Sequence, residues 1–388
     1  MNIIKRCWAE VSVDNLLSNL NNIRKLIPDN TRIMCVVKAN AYGHGDKIVV
    51  RETEKAGVDC FAVASADEAA HLRELGSKAE IVLLGACLDD CFPYAAMYDI
   101  SLAICDLDFA IKLSDYALHA GKNIKVHVKL NTGMSRVGID CLDIKQAQAA
   151  ADIIEKISKM PGLDMRGVFT HFSVSDEDDG EEYTRFQLEN FNNVRSILQS
   201  RNVNVPVWHC ANSGAILNAP ETHMDMVRAG ILLYGLYSGR GAKECFKPVL
   251  SIKTVITQIR EIEKNTSVSY GRTYVSDDRR KTAVISIGYG DGYPRSVSGK
   301  GRVLVNGRYA AILGRVCMDQ TVIDVTGIDC NVGDIVTVVG IDGKNKVTVD
   351  EIAKIDGTIN YEIVCNISQR VPRVYYRDGK QIDIVKYL

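Results

Sequence analysis

A chain of 388 residues is too long for one small domain and fits two domains, or one large barrel with an appendage. Apolar residues make up 46% and charged residues 24%, and folding at this size buries roughly 75% of the surface, so a core can form without disulfides. With 47 Lys and Arg against 48 Asp and Glu the formal charge is −1, which excludes a strong global field for nucleic acid or an anionic membrane but leaves room for a local basic site.

The first residues, MNIIKRCWAEVSVDN, carry no apolar core segment or cleavage site. The longest apolar stretches, such as IVLLGACL at 81–88, fall far short of the roughly 18 residues a membrane helix needs. The expectation is a soluble, cytoplasmic protein. Twelve cysteines are scattered from Cys7 to Cys365 without a C-x-x-C pair, Cys87 and Cys91 being the nearest two. That spacing points to reduced, mostly buried thiols and to no zinc site.

In chain order, eight short apolar runs follow: RIMCVVK (32–38), CFAVAS (60–65), EIVLLG (80–85), SLAIC (101–105), IKVHVKL (124–130), MRGVFTH (165–171), VPVWHC (205–210) and DMVRAG (225–230). Their near-continuous apolar character is that of strands buried on both faces. Helical patterns separate them, one being EEYTRFQLENFNNVRSILQ, with Phe186, Phe191, Val194, Ile197 and Leu198 expected on one side. Eight βα units predict a (β/α)8 TIM-type barrel over residues 1–238. A doubly wound sheet is the competitor, but no G-x-G-x-x-G follows the first strand. From about residue 240 the runs VLSIKTVITQIREI, TAVISIGYG, GRVLVNGRYAAILG, TVIDVTG and DIVTVVG alternate or are β-rich, separated by Gly, Asn and Asp. Residues 239–388 therefore read as a mainly antiparallel β domain. The segment CWAEVSVD (7–14) reads as a strand able to join it.

Barrel active sites lie at the C-terminal strand ends. Lys38 ends the first run, inside VVKANAYGHG, where a charged side chain is costly to bury and is well placed to form a Schiff base. After strand five comes Arg136, in NTGMSRVG. After strand six comes His171; after strand seven, His209, Asn212 and Ser213, in HCANSGA; after strand eight, Arg228, Gly230 and Ile231. Ser213, the start of a short helix at SGAIL, and the Ile231 N–H next to Gly230 make a cradle for phosphate. A Schiff-base lysine with a phosphate cradle points to pyridoxal 5′-phosphate, although a sugar-phosphate aldolase would use the same two parts.

VVKANAYGHG, NTGMSRVG, HCANSGA, MVRAGILLYG, SVSYGRTY, IGYGDGYPR and GRVCMDQ, in this order over essentially the whole chain, resemble the alanine racemase family. The resemblance implies a pyridoxal 5′-phosphate barrel, a C-terminal β domain, a homodimer with shared active sites and two catalytic bases, Lys38 and Tyr270. It implies interconversion of L- and D-alanine, the D-isomer serving peptidoglycan. It assigns the phosphate to Tyr42 and Ser213, with Gly230, Ile231 and Tyr361, and places His209 and Asn212 around the cofactor. Arg228 faces the pyridine nitrogen, with His171 beside it as a relay. Arg136 touches the cofactor and, with the Met318 backbone N–H, receives the substrate carboxylate. Cys317, Asp319 and Tyr289 support the site or its entrance, and Lys129 holds the position that is carbamylated in some members. The related amino-acid decarboxylases would show a GGG-type phosphate loop and a C-E-S-x-D segment, and neither occurs. A one-barrel cofactor carrier would lack the last 150 or so residues. Serine, or a range of small amino acids, is the alternative substrate, because one extra hydroxyl is a small steric difference.

Overall fold

The computed structural model describes residues 3–237 and 244–387. The boundary expected at 238/239 lies outside the described residues. All eight apolar runs contribute strands to one parallel sheet: Arg32–Val36, Cys60–Val63, Glu80–Leu83, Ile100–Ile104, Ile124–Asn131, Leu163–Phe169, Trp208–His209 and Met226–Ala229. The first seven pair in chain order, and the eighth returns to pair with the first, Arg228 opposite Met34. The remaining seam, between strands seven and eight, is held by Asp225 N–H to the Trp208 carbonyl at 3.2 Å and Arg228 N–H to the Ala211 carbonyl at 3.0 Å. The result is a near-closed barrel of TIM type. Short polar residues start its helices: Ser65, Asp106 and Asp143 each accept a hydrogen bond from the backbone N–H three positions on.

The Glu181–Ser200 helix departs from its expected face. Gln187, Phe191, Val194 and Leu198 are buried, whereas Phe186 is exposed and packs on Tyr183, with ring centroids 5.6 Å apart. The buried stripe steps by four, three and four residues, and Phe186 sits one position, about 100°, off it.

The second sheet runs Arg308–Ala311, Arg302–Val305, Ile335–Asp342, Leu250–Ile262, Cys7–Ser12, Arg373–Arg377 and Lys380–Val385, with Arg280–Ile285 and Thr321–Asp324 attached to one side. It is antiparallel except where Cys7–Ser12 meets Arg373–Arg377. The Cys7–Ser12 strand thus lies between two strands from the far end of the chain.

The two parts meet at the turn after Lys38. Ala39, Asn40, Ala41 and Tyr42 all have φ between 52° and 54°, one left-handed turn built from residues with a Cβ. Left-handed helix costs about 1–2 kcal/mol per residue, so the turn must be held from outside. Glu68 accepts from the Ala39 N–H at 2.7 Å. His44, fully buried and pushed by that burial to a pKa of about 4, is neutral, and its Nδ1–H donates to the carbonyls of Tyr42 at 2.8 Å and Ala41 at 3.1 Å. Arg373, buried in the β sheet, donates from Nε to the Gly43 carbonyl at 2.9 Å and from Nη2 to the Ile367 carbonyl at 2.8 Å. The Tyr375 hydroxyl donates to the His44 carbonyl at 3.0 Å.

Gly43 ends the turn at φ 77°, and a Cβ there would stand 2.0 Å from the Val364 carbonyl oxygen. Gly43→Ala should therefore destabilise the fold by about 2–4 kcal/mol through overpacking and left-handed strain. Chemical denaturation followed by circular dichroism measures this, and an unchanged midpoint would show that the turn gives way freely.

Candidate active site

A cavity of about 740 Å³ opens at the C-terminal mouth of the barrel. Lys38, Tyr42, His171, Asn212, Ser213, Arg228, Gly230, Ile231 and Tyr361 line it, so the structure brings these nine expected residues to one place. Lys38 is exposed to the cavity, so its ammonium bears little of the burial cost that its strand position implied. Tyr361 arrives on the Asn360–Cys365 helix of the second domain.

On one side the cavity is a nest of neutral donors. The Ser213 hydroxyl oxygen accepts from the backbone N–H groups of Gly230 at 3.1 Å and Leu232 at 3.3 Å. Asn212 caps the short Ser213–Asn218 helix, accepting from the Ala215 N–H at 3.0 Å. Burial pushes the phenols of Tyr42 and Tyr361 upward, so both stay protonated and able to donate. A Cβ on Gly230 would come within 3.2 Å of the Tyr42 hydroxyl, which is why the smallest residue stands there.

On the other side lies Arg228, 2% exposed. Among the described residues no carboxylate pairs with it. Nη1 donates to the His209 carbonyl at 3.1 Å, and Nη2 to the carbonyls of Thr170 at 2.7 Å and Cys210 at 2.9 Å. Two imidazoles complete its shell: His209 Nδ1 lies 3.2 Å from Nη1 and His171 Nδ1 lies 3.1 Å from Nη2. Burial lowers its pKa to about 10, which leaves it a cation at neutrality. Burial and the Arg228 charge push both histidines well below their ordinary value, so both are neutral. Among the described residues, Nε–H is the part of the Arg228 guanidinium with no protein acceptor.

Since an arginine only donates, His209 Nδ1 must be an acceptor, and its proton must sit on Nε2. His209 Nε2 faces His127 Nδ1 at 3.1 Å, which must then accept in turn. His127 Nε2 donates to Glu80 Oε1 at 3.4 Å. Glu80 is half enclosed. Burial alone would raise its pKa, but the hydrogen bond from His127 and the nearby charge of Arg32 hold it down at about 2. A one-way chain of donors thus runs through the barrel interior from Arg228 to a carboxylate.

The remaining expected residues lie elsewhere. His209 is fully buried behind Arg228 and stacks on Phe169 at 4.9 Å. Arg136 is exposed beyond strand five and does not line the cavity, though its charge reaches Lys129 and His171. Lys129 is buried, with Nζ 5.0 Å over the Phe169 ring. Burial first, then the charges of Arg228, Arg136 and Lys38, push its pKa down to about 8. Tyr270, Met318 and Tyr289 are 69%, 52% and 44% exposed on the β domain, away from the cavity of their own chain. They form a second cluster: Ser269 Oγ lies 3.4 Å from Cys317 Sγ, the Tyr289 N–H donates to the Cys317 carbonyl at 3.0 Å, and Asp319 pairs with Arg370 at 2.7 Å. Sequence reasoning missed Leu84, Asp176, Thr358, Glu362 and Cys365 in the cavity wall, and His127 and Glu80 behind it. A histidine inside the apolar run IKVHVKL was the available signal for the last two.

Family models for the alanine racemase N-terminal domain and C-terminal domain match residues 11–238 and 249–375. Alanine racemase 2 of Caldanaerobacter subterraneus subsp. tengcongensis is 41% identical, over 99% of this chain and 98% of that protein. An alanine racemase of Clostridium perfringens is 39% identical, over 99% of each. Among solved structures, the alanine racemase of Clostridium difficile superposes with TM-score 0.93 at 36% identity, covering 100% of both chains. That of Bacillus anthracis with bound L-Ala-P gives 0.91 at 33%, covering 100% of this chain and 99% of that one.

The donor chain fixes two tautomers. In 15N-resolved NMR of the seven imidazoles, His127 and His209 should both appear as neutral Nε2–H forms. A proton on Nδ1 of either ring would break the order deduced here.

Proposed function

This chain belongs to the alanine racemase family, and from that premise we propose that it interconverts L- and D-alanine with pyridoxal 5′-phosphate as its cofactor. The observation that carries this reading is the division of the chemical groups. The cavity holds a lysine, an anion cradle and an arginine with a spare N–H. A tyrosine and a free backbone N–H wait on an exposed face of the same chain.

The residues fit the cofactor. Lys38 Nζ is the amine that would bind it covalently. The Tyr42, Tyr361 and Ser213 hydroxyls and the Ile231 N–H would hold its phosphate, and Asn212 shapes that end of the site. Arg228 Nε–H would meet the pyridine nitrogen. When bound, the cofactor supplies an electron sink for the charge left at the substrate Cα. Arginine does not readily release a proton, so Arg228 would leave the ring nitrogen unprotonated and the sink weak, which would limit side reactions.

Lys38 Nζ and Tyr270 Oη then exchange the α-proton, one on each face of the substrate. A tyrosine has an ordinary pKa near 10 and needs help as a base. His171 accepts from Arg228 at Nδ1 and so carries its own proton on Nε2, from which it can donate to the phenolate of an incoming Tyr270. Arg136 and the Met318 N–H receive the substrate carboxylate. Among the described residues neither has a protein partner, so both are free to do so. Cys317, Tyr289 and Asp319 hold the Met318 turn and the entrance. Burial and the charges of Arg228, Arg136 and Lys38 lower the Lys129 pKa, which favours the neutral amine that forms a carbamate. That group would give Arg136 a negative partner.

In a single chain Tyr270 does not reach Lys38, so two chains pair to make two sites. The product D-alanine serves peptidoglycan, made from precursors assembled in the cytoplasm, where we place the protein. No helix among the described residues is long and apolar enough to cross a membrane.

Two experiments test the proposal. Borohydride reduction of the cofactor-loaded protein followed by peptide mapping should leave the pyridoxyl group on Lys38, and a label on another lysine would refute its role. Lys38→Ala and Tyr270→Phe should each abolish racemisation. Refolded together in equal amounts they should recover about a quarter of wild-type activity, because about half the dimers are mixed and each mixed dimer has one intact site of two. No recovery, with mixed dimers demonstrated, would mean that each site is built within one chain. L-serine assayed beside L-alanine decides the substrate, and faster turnover of serine would overturn the assignment to alanine.

A further inference from the structure

Outside the cavity wall, two thiols meet beside the barrel mouth. Cys87 Sγ and Cys91 Sγ lie 2.7 Å apart. A disulfide bond needs about 2.05 Å, so a small adjustment separates this contact from a bond. The pair sits on the rim of the barrel mouth. Strand three ends at Leu83, Leu84 lines the cavity, and the chain then turns through Cys87 into the short Asp89–Cys91 turn and the Phe92–Tyr98 helix. Cys91 is 5% exposed, whereas Cys87 is half-buried and reachable from solvent.

We propose that Cys87 and Cys91 are a reversible dithiol–disulfide modification site for a small two-electron oxidant of the peroxide class. A structural staple is a poor account of the pair. A bridge spanning three intervening residues closes a very short loop and removes little freedom from the unfolded chain. A metal site is a poor account too, because no group of three His, Cys, Asp or Glu among the described residues could hold an ion.

Access sets the order of events. One S–H of the pair donates to the other sulfur, and Cys87 is the sulfur that solvent reaches. As thiolate it attacks one oxygen of hydrogen peroxide, the O–O bond breaks, and hydroxide leaves, giving a sulfenic acid on Cys87. The Cys91 sulfur then attacks the Cys87 sulfur, the S–O bond breaks, and a second hydroxide leaves. The two thiol protons convert both hydroxides to water. Two thiols lose two electrons to peroxide, and an external dithiol reverses the change by exchange. The bond would tether the segment that leaves Leu84 and so stiffen one edge of the cavity.

The test uses the whole protein, first reduced, then treated with equimolar hydrogen peroxide, and capped with N-ethylmaleimide. Trypsin leaves Cys87, Cys91 and Cys105 on one peptide, since no Lys or Arg lies between Lys78 and Lys112. Cleavage before Asp89, Asp90, Asp99 and Asp106 then separates all three. The expected result is a Cys87–Cys91 link, 2 Da lighter than the dithiol and lost on adding dithiothreitol, with Cys105 and the exposed Cys245 and Cys365 capped. Cys91→Ala should trap the sulfenic acid on Cys87, where dimedone labels it. A link from Cys87 to Cys105, or capping of Cys87 and Cys91 as complete as that of Cys245, would overturn the proposal. The readout is mass alone, so it stands or falls apart from racemase activity.

Discussion

A buried guanidinium with no carboxylate partner recurs twice in this protein, and the two cases hold its halves and its site in place. Arg228 sits inside the barrel with carbonyls of Thr170, His209 and Cys210 as acceptors. Arg373 sits inside the β sheet with carbonyls of Gly43 and Ile367. Removing a charge from water is tolerable only when its hydrogen bonds are nearly all replaced, and carbonyl dipoles do this without cancelling the charge. A carboxylate beside Arg228 would bond it equally well but remove the positive potential that the site uses. The charge is kept, and the nearest carboxylate along its hydrogen bonds, Glu80, is two imidazoles away.

Arg373 does the corresponding work for geometry. The left-handed turn that presents Tyr42 to the cavity follows directly on Lys38, and left alone it would relax. Its carbonyls are gripped by Arg373 and Tyr375 from the other domain and by His44 from within. Barrel and β domain are therefore more than neighbours. The C-terminal sheet fixes the backbone next to the lysine, and the same domain sends Tyr361 into the cavity wall.

How much of this was legible in the sequence depended on burial. The eight barrel strands announce themselves because both faces of each are covered, which leaves an unbroken apolar run in the text. The residues at their C-terminal ends follow from the barrel rule, so Lys38, His171, Ser213 and Arg228 could be found by position alone. Phe186 shows the limit of helical periodicity, where one step of rotation exchanges core for solvent. The left-handed turn has no sequence mark, because Ala39, Asn40, Ala41 and Tyr42 include three residues that ordinarily avoid positive φ. Glu80 and His127 were hidden for another reason: a polar residue inside an apolar strand reads as an interruption until its partner on a neighbouring strand is known.

The residues proposed as the other half of the site were legible only through resemblance, and the structure explains why. Tyr270, Met318 and Tyr289 are exposed, and an exposed tyrosine on a β domain carries no pattern that separates it from ordinary surface. The same exposure has a physical consequence. Ser269, Gly271 and Arg272, around Tyr270, all have positive φ, so the tyrosine is held on a strained turn before any partner covers it. Cys317 and Met318 are fixed beside it through Tyr289 and Gly290, whose N–H groups donate to the two carbonyls at 3.0 Å and 2.9 Å. This half is thus ordered in one chain, as the cavity with Lys38 is. Under the two-chain reading each half is preorganised on its own fold, and association has only to bring rigid surfaces together. The ordering cost is then met during folding of each chain, and the base reaches its substrate without a further conformational search.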